Sequence, residues 1–208
     1  MCLCKPVFLL SDKASLFLGQ LFEMDGNKFF KIRDMKTIDK AKLAPGMSTE
    51  KVSASVYDIA INSLDGTPIL LSEFKGKKLL FVNVASECGF TKQYKDLQKL
   101  SDTYSDELVV IGSPCNQFGK QEPGDAAQIQ SFCERNFGVT FLLTEKIDVK
   151  GGKQHPLYEW LTSKSLNGNK NSSVKWNFQK YLVDEKGRLI DYYFSITKPM
   201  SSKITRHL

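Results

Sequence analysis

The chain has 208 residues, is 41% hydrophobic and carries 29 basic against 23 acidic side chains, a formal net charge of +6. That apolar content suits one ordinary core, with no repeat or low-complexity tract to suggest a second domain, and the basic excess is not gathered with a recognition motif, which excludes a nucleic-acid-binding module. Five cysteines without regular spacing argue against a secreted disulfide framework, and the two histidines, His155 and His207, form no zinc-type ligand cluster.

In chain order, residues 1–50 read as a leader or extension and 51–208 as the folded domain. The apolar part of the leader is broken by Asp12 and Lys13, too short and too charged to span a bilayer, and the five acidic residues within 1–46 count against an organelle transit peptide. Met47, after Pro45-Gly46, stands as a second candidate start, from which a chain would hold 162 residues. Cys2 and Cys4 are then outside the catalytic fold. A cytoplasmic protein without stable membrane insertion is expected.

Val56 to Asn62 and Ile69 to Leu71 flank an Asp65-Gly66 turn and predict a β-hairpin. The apolar run 79–85 reads as a buried strand by its length and β-branched content, and 91–103 carries apolar residues at helical spacing. Cys88 sits in the turn between them. Unpaired N–H groups and the positive end of a helix dipole favour an anion in such a turn, and the thiolate is the form of cysteine that reacts. A small buried structural cysteine is the alternative, and Glu87 beside it opposes a thiolate unless its side chain points away.

A second strand, 108–113, leads into the loop Ser113 to Gly124, which is rich in side-chain amides. Amides hydrogen-bond an anion without titrating themselves; a plain Gly/Pro connector is the simpler reading. Strand, helix, strand and then a helix over 125–136 predict a parallel pair with a crossover, and Cys133 falls one turn from the end of that last helix. Pro156 starts a helix through Trp160 and Leu161. Lys175-Trp176-Asn177-Phe178 offers an indole N–H beside an amide, or else a Trp that packs in the core. Apolar runs around Tyr181 and from Leu189 to Phe194 flank the turn Asp184 to Gly187 as an antiparallel pair, and Pro199 to Leu208 closes as a helix.

Three of these stretches together resemble the glutathione peroxidase family, in its cysteine-containing, thioredoxin-dependent branch: Asn83 to Thr91, Pro114 to Gly124, and Trp176-Asn177-Phe178. The resemblance runs from Val56 to Leu208. It implies an α/β, thioredoxin-like fold with a central mixed sheet flanked by helices, and a reactive Cys88 surrounded by Gln121, Trp176 and Asn177. It also implies that Cys133 is the resolving cysteine and that Cys115 is not essential. The implied reaction reduces hydrogen peroxide and organic or lipid hydroperoxides through a Cys88 sulfenic acid. That acid is resolved as a Cys88–Cys133 disulfide and recycled by thioredoxin, with glutathione as another reductant and no metal, flavin or haem. Only Ser163 to Val174 fills the place where tetrameric members carry a long insertion, so a monomer is expected. The chain departs from the family's common pattern at Glu87, Lys92, Ser113 and Leu142. Two rival readings use the same residues: a peroxide sensor relaying oxidation to a partner protein, and a silent thioredoxin-like module in which Glu87 suppresses the thiolate.

Overall fold

The computed structural model describes residues 55–208. The leader assigned to 1–50, with Cys2, Cys4 and the candidate start Met47, lies outside the described residues.

Seven strands and five α-helices follow one another along this segment. They are β1 (Ile61–Asn62), β2 (Pro68–Ile69), β3 (Lys78–Val84), α1 (Gln93–Thr103), β4 (Leu108–Pro114), α2 (Ala126–Phe137), β5 (Leu142–Leu143), α3 (Pro156–Thr162), α4 (Lys164–Asn167), β6 (Lys180–Val183), β7 (Leu189–Tyr193) and α5 (Ser202–Thr205). β1 and β2 form the expected hairpin around Asp65-Gly66, with Gly66 at φ 88°. It is shorter than predicted. Val56–Asp58 winds into a 3-10 turn because the Ser55 hydroxyl accepts the Tyr57 N–H, a local bond that draws the backbone away from a ladder.

The remaining strands form one mixed sheet in the order β5-β4-β3-β6-β7. β3 runs parallel to β4, from Lys78 opposite Leu108 to Val84 opposite Pro114, and antiparallel to β6. β5 adds to the far side of β4 in parallel, a pairing that a two-residue apolar piece did not announce. Gly112 permits it: a Cβ there would stand 2.8 Å from Leu143 Cδ2, so only a residue without a side chain lets the two strands approach.

Alternation along β3 divides the interior into two layers. Leu80, Val82 and Val84 face a layer completed by Tyr94, Leu97 and Leu100 of α1 and by Ile129 and Cys133 of α2. Leu79 and Phe81 face the opposite layer, with Leu157, Tyr158 and Leu161 of α3. Each fully buried Leu or Phe contributes roughly 1.5–3 kcal/mol, so a strand apolar on both faces is pinned at the centre of the sheet.

Helix boundaries differ slightly from expectation. α2 begins at Ala126, because Asp125 acts as its N-cap in a reciprocal capping box with Gln128. It ends at Gly138, whose φ of 62° suits glycine. α1 begins at Gln93, two residues later than predicted. The helix expected over Pro199 to Leu208 shortens to the single turn of α5, capped by Ser201.

Candidate active site

Cys88 lies in the turn that leaves β3 and is nearly buried, at 9% exposed. The turn is held by Thr91, whose hydroxyl donates to the Ala85 carbonyl at 2.9 Å and accepts the Cys88 N–H at 3.0 Å. Successive backbone bonds from Thr91 to Cys88, Gln93 to Phe90 and Tyr94 to Thr91 are three-residue closures, so the chain coils tightly before α1 proper begins. That is why α1 starts late. The Phe90 N–H points at Cys88 Sγ at 3.4 Å, so an unpaired amide of this turn faces the sulfur, as an anion there requires.

The amide loop after β4 is brought against this turn. The Glu87 N–H donates to the Gln121 carbonyl at 3.0 Å. Gln121 Oε1 in turn accepts from Asn177 Nδ2 at 3.0 Å, which joins the Trp-Asn segment to the same place. Asn177 is fully buried, and its Oδ1 has no partner. Trp176 is not core packing: it is 40% exposed, with its ring tilted against Phe118 of the amide loop at 5.8 Å between centroids. Cys88, Gln121, Trp176 and Asn177 thus come from three loops that meet at one end of the sheet.

Backbone strain marks both amide-bearing loops. Lys120 has φ 56° and Phe178 φ 62°, the two non-glycine residues with positive φ among those described, and they flank Gln121 and Asn177. Such conformations cost of order 1–3 kcal/mol and persist where the surroundings impose them. For Phe178 the surroundings include Asn83. The Asn83 carbonyl accepts the Phe178 N–H at 2.6 Å, its Nδ2 donates to the Trp176 carbonyl at 3.1 Å, and its Oδ1 accepts the Gln179 N–H at 3.1 Å. Asn83 is a buried polar residue in an apolar strand, and that interruption was the signal that sequence reasoning passed over.

Cys133 is fully buried inside α2, in the same core layer as Cys88. Burial first, and then the charge of Glu122, push its thiol up to about 11. The neighbouring Tyr94 hydroxyl favours the thiolate but makes no hydrogen bond of good geometry. Cys115 lies in the opposite layer, beyond the sheet, and burial raises its pKa too. All three cysteines among the described residues are free thiols.

A second buried cluster adjoins the site. Lys180 Nζ donates to Gln93 Oε1 and to the carbonyls of Ser195 and Thr197, and Ser195 Oγ donates to the Asn177 carbonyl. Burial pushes Lys180 down to about 7, with the charge of Asp96 opposing the shift. Among the described residues no three His, Cys, Asp or Glu side chains are grouped to hold a metal ion.

The model of the family described as glutathione peroxidase matches residues 56–162. A hydroperoxy fatty acid reductase of Synechocystis sp. is 46% identical over 73% of this chain and 93% of its own length. A glutathione peroxidase-like peroxiredoxin of Saccharomyces cerevisiae, HYR1, is 49% identical over 70% of this chain and 90% of its own. Among solved structures, that of T. cruzi GPX1 superposes with a TM-score of 0.56 at 33% identity, covering 74% of this chain and 93% of that one. A thiol:disulfide interchange protein of the thioredoxin family from Chlorobium tepidum, 12% identical, superposes at 0.54 over 74% of this chain and 95% of its own, which establishes the thioredoxin-like fold.

Proposed function

The chain belongs to the glutathione peroxidase family, and we propose that it works there as a two-cysteine thiol peroxidase recycled by thioredoxin. The observation that carries the reading is the bonded chain from the Glu87 N–H to Gln121 and on to Asn177, which ties the reactive turn to both donor-bearing loops. In the reaction the Cys88 thiolate attacks one peroxide oxygen, the O–O bond breaks, and water or an alcohol leaves as the sulfur becomes a sulfenic acid. Gln121, Asn177 and the Trp176 indole hold the thiolate and the charge that develops on the leaving oxygen. The Cys133 sulfur then displaces hydroxide from Cys88, and a dithiol reductant reopens the disulfide by exchange. Glutathione is the slower alternative reductant.

An enzymatic role agrees with the relatives' names, and neither the sensor nor the silent-module reading is retained. Substrates include organic and lipid hydroperoxides. Phe194 and Ile196, 47% and 80% exposed, flank the Ser195 that docks on Asn177, so an apolar rim stands beside the exposed Trp176. The compartment we propose is the cytoplasm, where free thiols are kept reduced. Among the described residues no helix is long and apolar enough to cross a membrane.

The test is peroxide-dependent NADPH oxidation with thioredoxin and thioredoxin reductase. Cys88→Ser and Cys133→Ser should both abolish turnover, while Cys133→Ser still consumes about one equivalent of peroxide. Full turnover in Cys133→Ser would refute the two-cysteine cycle.

A further inference from the structure

Glu122 follows Gln121, is fully buried, and has no part in the steps above. Its Oε1 accepts from Ser86 Oγ at 2.7 Å, in the turn that carries Cys88. Its N–H donates to Asn116 Oδ1 at 2.9 Å and its carbonyl accepts from Lys146 Nζ at 2.9 Å, so the backbone at this point is fixed from two sides. Oε2 is buried with no partner at all. Carboxylates are almost never fully buried unless paired, and a bare oxygen of this kind is costly to keep.

The side chain lines a groove of about 450 Å³ between the reactive turn, at Ser86 and Glu87, and the face of α2 that presents Gln128, Ile129 and Phe132. Cys133 is the next residue on that helix. Of the charged groups around its thiol, Glu122 acts most strongly.

We propose that Glu122 is the group that takes the proton from the Cys133 thiol and returns it to the oxygen leaving Cys88 during disulfide formation. The inference rests on the two-cysteine reading above. Peroxide reduction leaves Cys88 as a sulfenic acid. The Cys133 S–H proton passes to the Glu122 carboxylate, the Cys133 sulfur bonds to the Cys88 sulfur, and the S–O bond of Cys88 breaks. The departing hydroxide takes the proton from the Glu122 carboxyl, giving water and regenerating the carboxylate. The negative charge that opposes ionisation of Cys133 disappears once Glu122 holds the proton, so the barrier to making the thiolate falls at the moment it is needed. Ser86 keeps the carboxyl beside Cys88 while Cys133 approaches.

The groups facing this pair are few. Burial raises the Glu122 carboxyl and Glu87 on the turn adds to it, while the Ser86 hydroxyl and Lys146 beyond β5 oppose them. Tyr94 of α1 and Glu134 of α2 face Cys133. A carboxyl raised by burial is a stronger base than an exposed one, and so better suited to take a proton from a thiol.

The experiment is stopped-flow of the reduced protein with one equivalent of peroxide, following sulfenic acid and then disulfide across pH. In Glu122→Gln the first equivalent is still consumed, which reports an intact fold, and disulfide formation slows by roughly a hundredfold. The parent's disulfide rate flattens above the Glu122 pKa, whereas that of Glu122→Gln climbs about tenfold per pH unit toward the Cys133 thiol value, which lies below the parent's value of about 11 because the Glu122 charge is gone. Ser86→Ala removes a bond that lowers the carboxyl pKa and so moves the flattening to higher pH. A Glu122→Gln rate within about threefold of the parent with the same pH profile overturns the assignment, as does a Ser86→Ala profile that does not move. If the parent itself forms no Cys88–Cys133 disulfide, the two-cysteine reading falls and this one with it. A parent that forms it beside an indifferent Glu122→Gln removes Glu122 alone.

Discussion

Asn83 is the single side chain on which the placement of Trp176 and Asn177 most depends. It sits on a central strand, yet both ends of its amide are spent on the backbone of the Trp-Asn-Phe-Gln segment. Asn83→Ala leaves the Trp176 carbonyl and the Gln179 N–H without those bonds inside the core. At about 1–3 kcal/mol per unsatisfied group the variant should lose roughly 2–4 kcal/mol of stability, visible as a lower urea midpoint. Peroxidase turnover should fall further than that loss explains, because Phe178 no longer has its left-handed backbone imposed. Lys180 makes a different prediction. Its folded pKa of about 7 lies below the unfolded value of 10.5, so between pH 7 and pH 9 the unfolded chain binds more protons than the folded one. Stability from this group therefore rises with pH across that window. Lys180→Met should flatten the rise relative to the parent; parallel urea-midpoint curves for the two proteins across pH would contradict it.

At the scale of elements, α2 is the piece under tension between two demands. Its capping box and its Gly138 terminus stabilise it, yet its Cys133 thiol is sealed inside the core and, in the proposed cycle, has to bond to Cys88. A disulfide needs Cα atoms within about 7 Å and Cβ vectors that converge, so the helix has to loosen locally if the reduced arrangement does not already meet this. We expect amide exchange over residues 126–137 to be at least tenfold faster in the oxidised protein than in the reduced one. Equal protection in both forms would mean that the sulfurs meet without unwinding. The late start of α1 belongs here as well. Periodicity sees apolar spacing from Thr91 onward, but the Thr91 hydroxyl is spent on the Ala85 carbonyl and the Cys88 N–H, which holds the first residues in the turn instead of the helix.

For the whole molecule, the expected monomer remains a prediction with a physical basis. The segment Ser163 to Val174 is tied back to α3 and to itself: Asn167 Nδ2 donates to the carbonyls of Trp160, Leu161 and Lys170, at 3.0, 3.3 and 3.1 Å. Light scattering at micromolar concentration should give the mass of one chain. A stable dimer or tetramer would show that another surface associates, for which the exposed rim of Trp176, Phe194 and Ile196 is the first place to look.

Local patterns in the chain were sufficient for the strand-turn-helix around Cys88, the capped helix after the amide loop, the Pro156 helix and the final hairpin. Each of these is dictated by side-chain periodicity or by a cap within a few residues. The family resemblance then drew Gln121, Trp176 and Asn177 to Cys88, although Asn83 and the segment it clamps are 93 positions apart. What only the tertiary structure decided concerns which groups are removed from water and on which side of the sheet. β5 is a strand solely because β4 supplies its partner across Gly112. Cys115 and Cys133 both read as free thiols of unknown depth along the chain, and the sheet places them in opposite layers. Glu122 and Lys180 read as ordinary polar residues, because nothing local distinguishes a solvated carboxylate or ammonium from a buried one, and Asn83 shows only as a polar break in an apolar run. Burial is a property of the assembled core, and it is burial that alters the proton affinities of Glu122 and Lys180 and makes the Asn83 amide spend its bonds on the site.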